Sequence, residues 1–332
     1  MKKDSNTAYD AFAAENKITD GELDMYVGCV EQLSIPDGIT YIGMKAFEGN
    51  TTLRRVVIPA SVESIAPFAF RNCTSLEEVV FLGSNVELAI GVFLGCSALR
   101  HIVLPSGLER IPSGTFTGCT SLAELRLPDD LKKIESNSLV SCTSLKEISI
   151  PDGVTRIGEG AFKGCSSLTT VELPEGLDRI ENIVFSSCSS LKWLKIPHGV
   201  THIGDAAFVF CTSLEKIVLP DGLCAIGQTA FRGCSSLKEF VFPKGVSEIP
   251  LFIFDMCPSL ERVTLHEGIK SVGTFAFRGC RSLEEIILPR GIEHIDSGAF
   301  SGCSSLVLTV PAENPAIQTE GALEGVAEVR FY

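Results

Sequence analysis

Leucine returns every 23 residues along this chain. It stands at Leu53, Leu76, Leu99, Leu122, Leu145, Leu168, Leu191, Leu214, Leu237, Leu260, Leu283 and Leu306, twelve copies without an insertion, and Val30 holds the same slot one period earlier. Other rows keep the register. Phe recurs from Phe47 to Phe300 with Leu139 as the exception, and Pro follows at positions such as Pro36, Pro59, Pro151 and Pro289. Ile or Val sits at positions such as Ile42, Ile134, Ile203 and Ile295. A period of this length means a stacked array in which each unit buries its apolar edge against its neighbours. The 332 residues would otherwise suggest two ordinary domains.

One period carries its own structural logic. The segment around Leu194 and Ile196 alternates, so those two residues point to one face and Trp193 and Lys195 to the other. A strand that returns in the same direction every 23 residues must pair in parallel, with the rest of the period as crossover. Pro then removes an N–H and ends the ladder. Asp152-Gly153 or Glu175-Gly176 turns the chain, and the apolar pair Val154 and Ile157 covers the core. Ala161-Phe162 is expected to anchor a short helical or 3₁₀ turn. Bulky Phe turns opposite narrow strands should bend the stack, placing the parallel sheet on a concave face and the turns on a convex one.

The ends differ from the middle. Residues 1–16 are polar and Ala-rich, a frayed or helical tail, and residues 17–29 read as a capping hairpin around Ile18-Thr19-Asp20-Gly21-Glu22. The repeats run from residue 30. A C-terminal cap is expected over about residues 307–332, where Pro311 follows Pro289 by 22 and the register slips by one. Gly321–Val326 weakly repeats the turn pattern, and Val329–Tyr332 reads as a last edge strand. Residues 17–332 are therefore read as one domain.

The run Ile150-Pro151-Asp152-Gly153-Val154-Thr155-Arg156-Ile157-Gly158-Glu159-Gly160-Ala161-Phe162-Lys163-Gly164-Cys165-Ser166-Ser167-Leu168 resembles the BspA-like leucine-rich-repeat family, of the Treponema type. Lys17–Leu23 also resembles that family's N-terminal cap. The resemblance implies an α/β fold, a right-handed β/α solenoid shaped as a horseshoe. It also implies surface-exposed bacterial proteins that bind host or matrix proteins.

Thirteen cysteines invite a redox or metal reading. Eleven of them, Cys73 to Cys303, lie at the same 23-residue spacing, whereas Cys29 and Cys224 stand apart, and no C-x-x-C occurs. A ladder of buried free thiols acting as small hydrophobes is favoured over disulfides or metal. Such a row suits a reducing or anaerobic setting. His198 and His202 are four apart, but Pro197, Gly199 and Gly204 argue against a helix presenting both to a metal. The usual catalytic motifs are missing, so the reading is not an enzyme, with no catalytic, cofactor-binding or metal residues assigned.

The net charge of −13 disfavours nucleic acid, and no apolar run is long enough for membrane insertion. Asp4-Ser5-Asn6-Thr7 follows Lys2-Lys3 where a signal peptide would turn apolar. The chain reads as cytoplasmic as written, or as cell-surface or secreted if a native signal precedes it.

What varies from repeat to repeat is the outward strand row. Val57, Val80 and Val103 lead into Arg126, Ser149, Glu172 and Lys195, then Val218, Val241, Thr264 and Ile287. The neighbouring row carries Glu147, Thr170, Trp193 (the only Trp) and Lys216. A protein partner is expected there, on Trp193, Lys195, Glu172, Thr170, Lys216, Arg126 and Glu147. The Val positions fit β-propensity as well as an interface. The function is read as a non-enzymatic protein-binding scaffold, adhesin-like if exported. The alternative is a structural module that associates with itself.

Overall fold

The computed structural model describes residues 4–312, 321 and 323–332. Residues 1–3 of the expected tail, and 313–320 and Ala322 of the expected C-terminal cap, lie outside them. The chain forms two compact units, Met1–Ser166 and Ser167–Tyr332.

In the first unit, a helix over Asp4–Glu15 leads into an antiparallel hairpin, Lys17–Thr19 with Glu22–Met25. Glu22–Met25 then begins a parallel row with Tyr41–Ile42, Ser64–Ile65 and Glu87–Leu88. A second row runs through Gln32–Ser34, Arg55–Ile58, Glu78–Phe81 and His101–Val103. Paired residues such as Leu33, Val56 and Val79 are one period apart. Coils thus carry two strands, the longer one reduced to a single bridge at Arg126. The sequence pattern anticipated the longer one; the Ile row at Ile134 and Ile157 proves to belong to a second, with Lys133–Ile134 paired to Arg156–Ile157.

The second unit repeats the plan. Trp193–Lys195 pairs with Lys216–Val218, and Glu239–Val241, Arg262–Thr264, Glu285–Ile287, Val307–Val310 and Glu328–Phe331 form a continuous parallel sheet. Arg179–Ile180, His202–Ile203 and Ala225–Ile226 form one short second row; Glu248–Ile249, Ser271–Val272 and His294–Ile295 form another. Near the end Glu285 pairs with Val307, 22 residues on, where the Pro spacing slips. Glu328–Phe331 closes the sheet as the expected final strand.

The expected α/β class and helical or 3₁₀ turns are not found. Among the described residues Asp4–Glu15 is the one α-helix, and each unit is a β-solenoid of stacked coils. The turn segment shows why. Successive N–H groups alternate in direction: those of Lys45, Phe47 and Gly49 donate to Pro67, Ala69 and Arg71 of the next coil, while those of Ala46, Glu48 and Asn50 close local turns to Gly43, Lys45 and Phe47. Half the donors therefore serve stacking, and a helix would have taken all of them for itself. The alternation requires left-handed backbone, supplied by Gly at Gly160 and Gly164 (φ 62° and 73°). Where other residues take such slots, each costs roughly 1–2 kcal/mol.

The core lies between these three ladders. The Leu row and the Phe row are fully buried. Phe rings stack along each unit, from Phe47–Phe70 at 4.5 Å to Phe93–Phe116 at 5.8 Å in the first, and from Phe185–Phe208 at 5.6 Å to Phe277–Phe300 at 5.5 Å in the second. Burial of each ring is worth roughly 1.5–3 kcal/mol. Phe12 of the helix covers Tyr26, which stacks on Phe47 at 4.9 Å, so the helix seals the first coil. Asn16 holds the junction: its side chain accepts the Val27 N–H at 3.0 Å and donates to Phe12 O at 2.8 Å.

Candidate partner-binding face

A three-residue strand with one buried and two exposed side chains offers two outward positions per coil. Thr170–Glu172 and Trp193–Lys195 both follow that pattern. Val171 and Leu194 are buried, and Thr170, Glu172, Trp193 and Lys195 face solvent. Trp193 is 47% exposed, an unusual state for a large aromatic on a regular strand. In register, Trp193 faces Lys216 and Lys195 faces Val218.

Charges organise the surroundings. The Lys195 ammonium lies 3.5 Å from Glu175, whose other oxygen accepts the His198 N–H at 3.2 Å. That backbone donor, aided by Lys195, lowers the Glu175 carboxyl below its ordinary range. Lys216 and Arg262 flank Glu239 at 4.0 and 3.7 Å. Thr170, Glu172, Trp193, Lys195 and Lys216 thus share neighbouring strands of the second unit. Arg126 and Glu147 belong to the first unit; both are exposed on its strand face, with Arg126 bridged to Val103.

Among the described residues no group of three His, Cys, Asp or Glu could hold a metal ion. His202 Nδ1 is 2.8 Å from the Thr201 hydroxyl, and His198 sits in the turn after Pro197. The eleven periodic cysteines are buried free thiols, with Cys29 and Cys224 exposed. They do more than fill space. Cys73 donates to Phe47 O at 3.0 Å, and the same bond recurs from Cys96 to Phe70 O and from Cys211 to Phe185 O. Burial pushes Cys165, Cys211, Cys257 and Cys303 up to about 12, far from a reactive thiolate. No helix among the described residues is long and apolar enough to cross a membrane.

The sequence reading missed one cluster, on the turn face of the second unit. Asp255, wholly buried, lies between Arg232 and Arg278 at 2.9 and 2.7 Å. The three are one period apart, in a row that also carries Glu48, Arg71 and Lys163 as well as Ser186, Val209 and Ser301, so charge at this position did not by itself mark the cluster.

Residues 22–146, 86–215 and 201–321 match the family described as BspA type leucine rich repeat region, six copies. The fold is similar to that of a leucine-rich repeat protein from Bacteroides ovatus, with 25% identity, 94% of each chain covered and a TM-score of 0.57. It is also similar to a leucine rich cell surface protein from Faecalibacterium prausnitzii, with 24% identity, 93% of this chain and 90% of that one covered, and a TM-score of 0.52. The pneumococcal vaccine antigen PcpA is 18% identical over 94% of this chain and 91% of its own, with a TM-score of 0.54. No curated protein matches.

Proposed function

The chain belongs to the BspA-type leucine-rich-repeat family, and from that premise we propose that it is a non-enzymatic scaffold that binds a protein partner on its strand face. The observation that carries this reading is Trp193, 47% exposed among charged neighbours on a parallel strand pair. Trp and Arg dominate binding hot spots because they bury large area at small entropic cost. Thr170, Glu172, Lys195 and Lys216 form the polar rim around it, and Arg126 and Glu147 offer the same chemistry in the first unit. The cell-surface description of the Faecalibacterium protein and the antigen status of PcpA support an adhesin-like role if this chain is exported. A host or matrix protein is then the partner class.

The test is capture of partners from host extract or matrix on the full chain, followed by affinity measurement with the Trp193→Ala, Lys195→Glu double variant. Loss of a hot spot of about 2 kcal/mol weakens binding roughly thirtyfold. Melting should be unchanged, because both side chains are exposed. Equal affinity for the verified partner would remove this face from the function. A second reading rests on exposed apolar strand residues, Val103 at 75%, Val241 at 61% and Ile287 at 56%. They suit self-association, and a strict monomer in light scattering at high concentration would dismiss it.

A further inference from the structure

The turn segment of each coil contains slots that require left-handed backbone; one such slot holds Gly at Gly91, Gly114, Gly160 and Gly298, and Lys45, Phe68, Asn137, Ile183, Ala206 and Thr229 in other coils. In the second unit Phe252 (φ 56°) and Phe275 (φ 54°) occupy that same slot, and Phe210 (φ 58°) and Met256 (φ 63°) occupy the one four residues later. A bulky side chain is strained there, and strain of this kind is retained where the side chain serves another purpose. None of the four serves the core. Phe210 and Met256 are exposed, and Phe252 and Phe275 are half-buried.

The three aromatic rings lie against two arginines. Phe252 and Phe275 lie 5.4 Å apart, and the Arg278 guanidinium stands 5.6 and 4.9 Å from their rings. Arg232 stands 5.9 Å from the Phe210 ring. The buried Asp255 carboxylate orients Arg278, which donates Nε and Nη2 to it at 2.7 and 2.8 Å, and holds Arg232 as an ion pair, its Nε 2.9 Å away without a hydrogen bond. Side chains of the two arginines remain 36% and 39% exposed. Asp255 balances one of the two charges, so the triad is left net positive in a chain of net charge −13. The nearby Asp205 and Asp296 are engaged with the Gln228 N–H and the Thr274 hydroxyl. A buried ion triad is a poor device for stability alone. Ser or Val suffices at this position in Ser186, Val209 and Ser301, and the Glu48–Arg71 pair in the same row lies at 3.4 Å with both side chains partly exposed, unlike the wholly buried Asp255.

One hydrogen-bonded and one ion-paired guanidinium beside exposed aromatic and thioether groups match a carboxylate next to an apolar side chain. We propose that this turn-side surface docks an acidic, aromatic-bearing segment of a partner protein. The carboxylate sits on Arg232 and Arg278, and the apolar side chain lies on Phe252, Phe275, Met256 and Phe210. Charge complementarity selects this occupant. The site is separate from the strand face around Trp193, so either can fail without the other.

The test pans a random twelve-residue peptide display library on the full chain. Enriched peptides are then measured against the wild type, Phe252→Gly with Phe275→Gly, Arg232→Gln, and Trp193→Ala with Lys195→Glu. Gly is native to the Phe slot in other coils, and Arg232→Gln leaves Asp255 its bidentate partner, so both variants should fold, as thermal melting will check. We expect enriched sequences with Asp or Glu beside Phe, Tyr, Trp or Leu, binding that weakens with salt, at least tenfold loss in the glycine and glutamine variants, and none in the Trp193 variant. Enrichment without acidic residues, no enrichment, or affinity indifferent to the glycine variant overturns the proposal. So does saturable binding of a single-stranded oligoribonucleotide lost in the same variants, which would give the patch to nucleic acid. Dimerisation abolished by the glycine variant would give it to a second copy of the chain.

Discussion

A thiol that recurs once per coil ties adjacent coils together through its neighbour's backbone. Cys257 donates to Phe231 O at 3.2 Å and Cys303 to Phe277 O at 3.0 Å. The neutral form makes this bond, and burial resists the anion. Cys211, Cys257 and Cys303 titrate near 12 instead of the ordinary 9.0. Because the folded value is raised, the stabilisation is complete below pH 9 and is lost as pH climbs towards 12. Denaturant titrations at pH 7 and pH 10 should show the lower midpoint at pH 10. A thiol reagent should label Cys29 and Cys224 in the native protein and all thirteen cysteines after unfolding. Equal midpoints, or rapid native labelling of the whole row, would contradict the buried ladder. The row was legible in the sequence as small buried groups. Its acceptor was not, because Phe231 O lies 26 residues before its donor, and composition cannot tell a donor from a space-filler.

At the scale of the element, the turn segment is the point of divergence from the sequence reading. Ala161-Phe162 flanked by Gly160 and Gly164 reads as a helical turn if only local propensity is considered. Stacking changes the balance: Leu139 N–H bonds to Ala161 O and Ser141 N–H to Lys163 O across coils. Gly160 holds φ 62° within this ladder. Gly160→Ala should therefore destabilise by roughly 1–2 kcal/mol, read as a fall in the denaturation midpoint. In a helix the same change would stabilise, so the sign of the effect separates the two structures. The outward strand residues were fully legible, since period-two alternation places Trp193 and Lys195 on one face and Leu194 on the other. Their ion pairing was not: Lys195 meets Glu175, twenty residues back on the preceding coil's turn.

At the scale of the whole molecule, the open end of a stack must be covered. The helix Asp4–Glu15 does this by laying Phe12 over Tyr26 at 6.2 Å. Deleting residues 1–16 uncovers Tyr26 and removes the Asn16 bonds, so the melting temperature should fall by several degrees. An unchanged melting curve would show that the hairpin alone suffices as a cap. That residues 17–332 constitute a single domain is our proposal from the unbroken spacing of Leu145, Leu168 and Leu191. The 23-residue period by itself determined the stacking, the parallel register, the buried Leu, Phe and Cys rows and the outward positions, because each follows from counting along one chain. The path of the turn segment and the meeting of Arg232, Asp255 and Arg278 were decided only by tertiary structure. Backbone donors there choose between their own coil and the next. Side chains a full period apart become neighbours only once the coils are stacked.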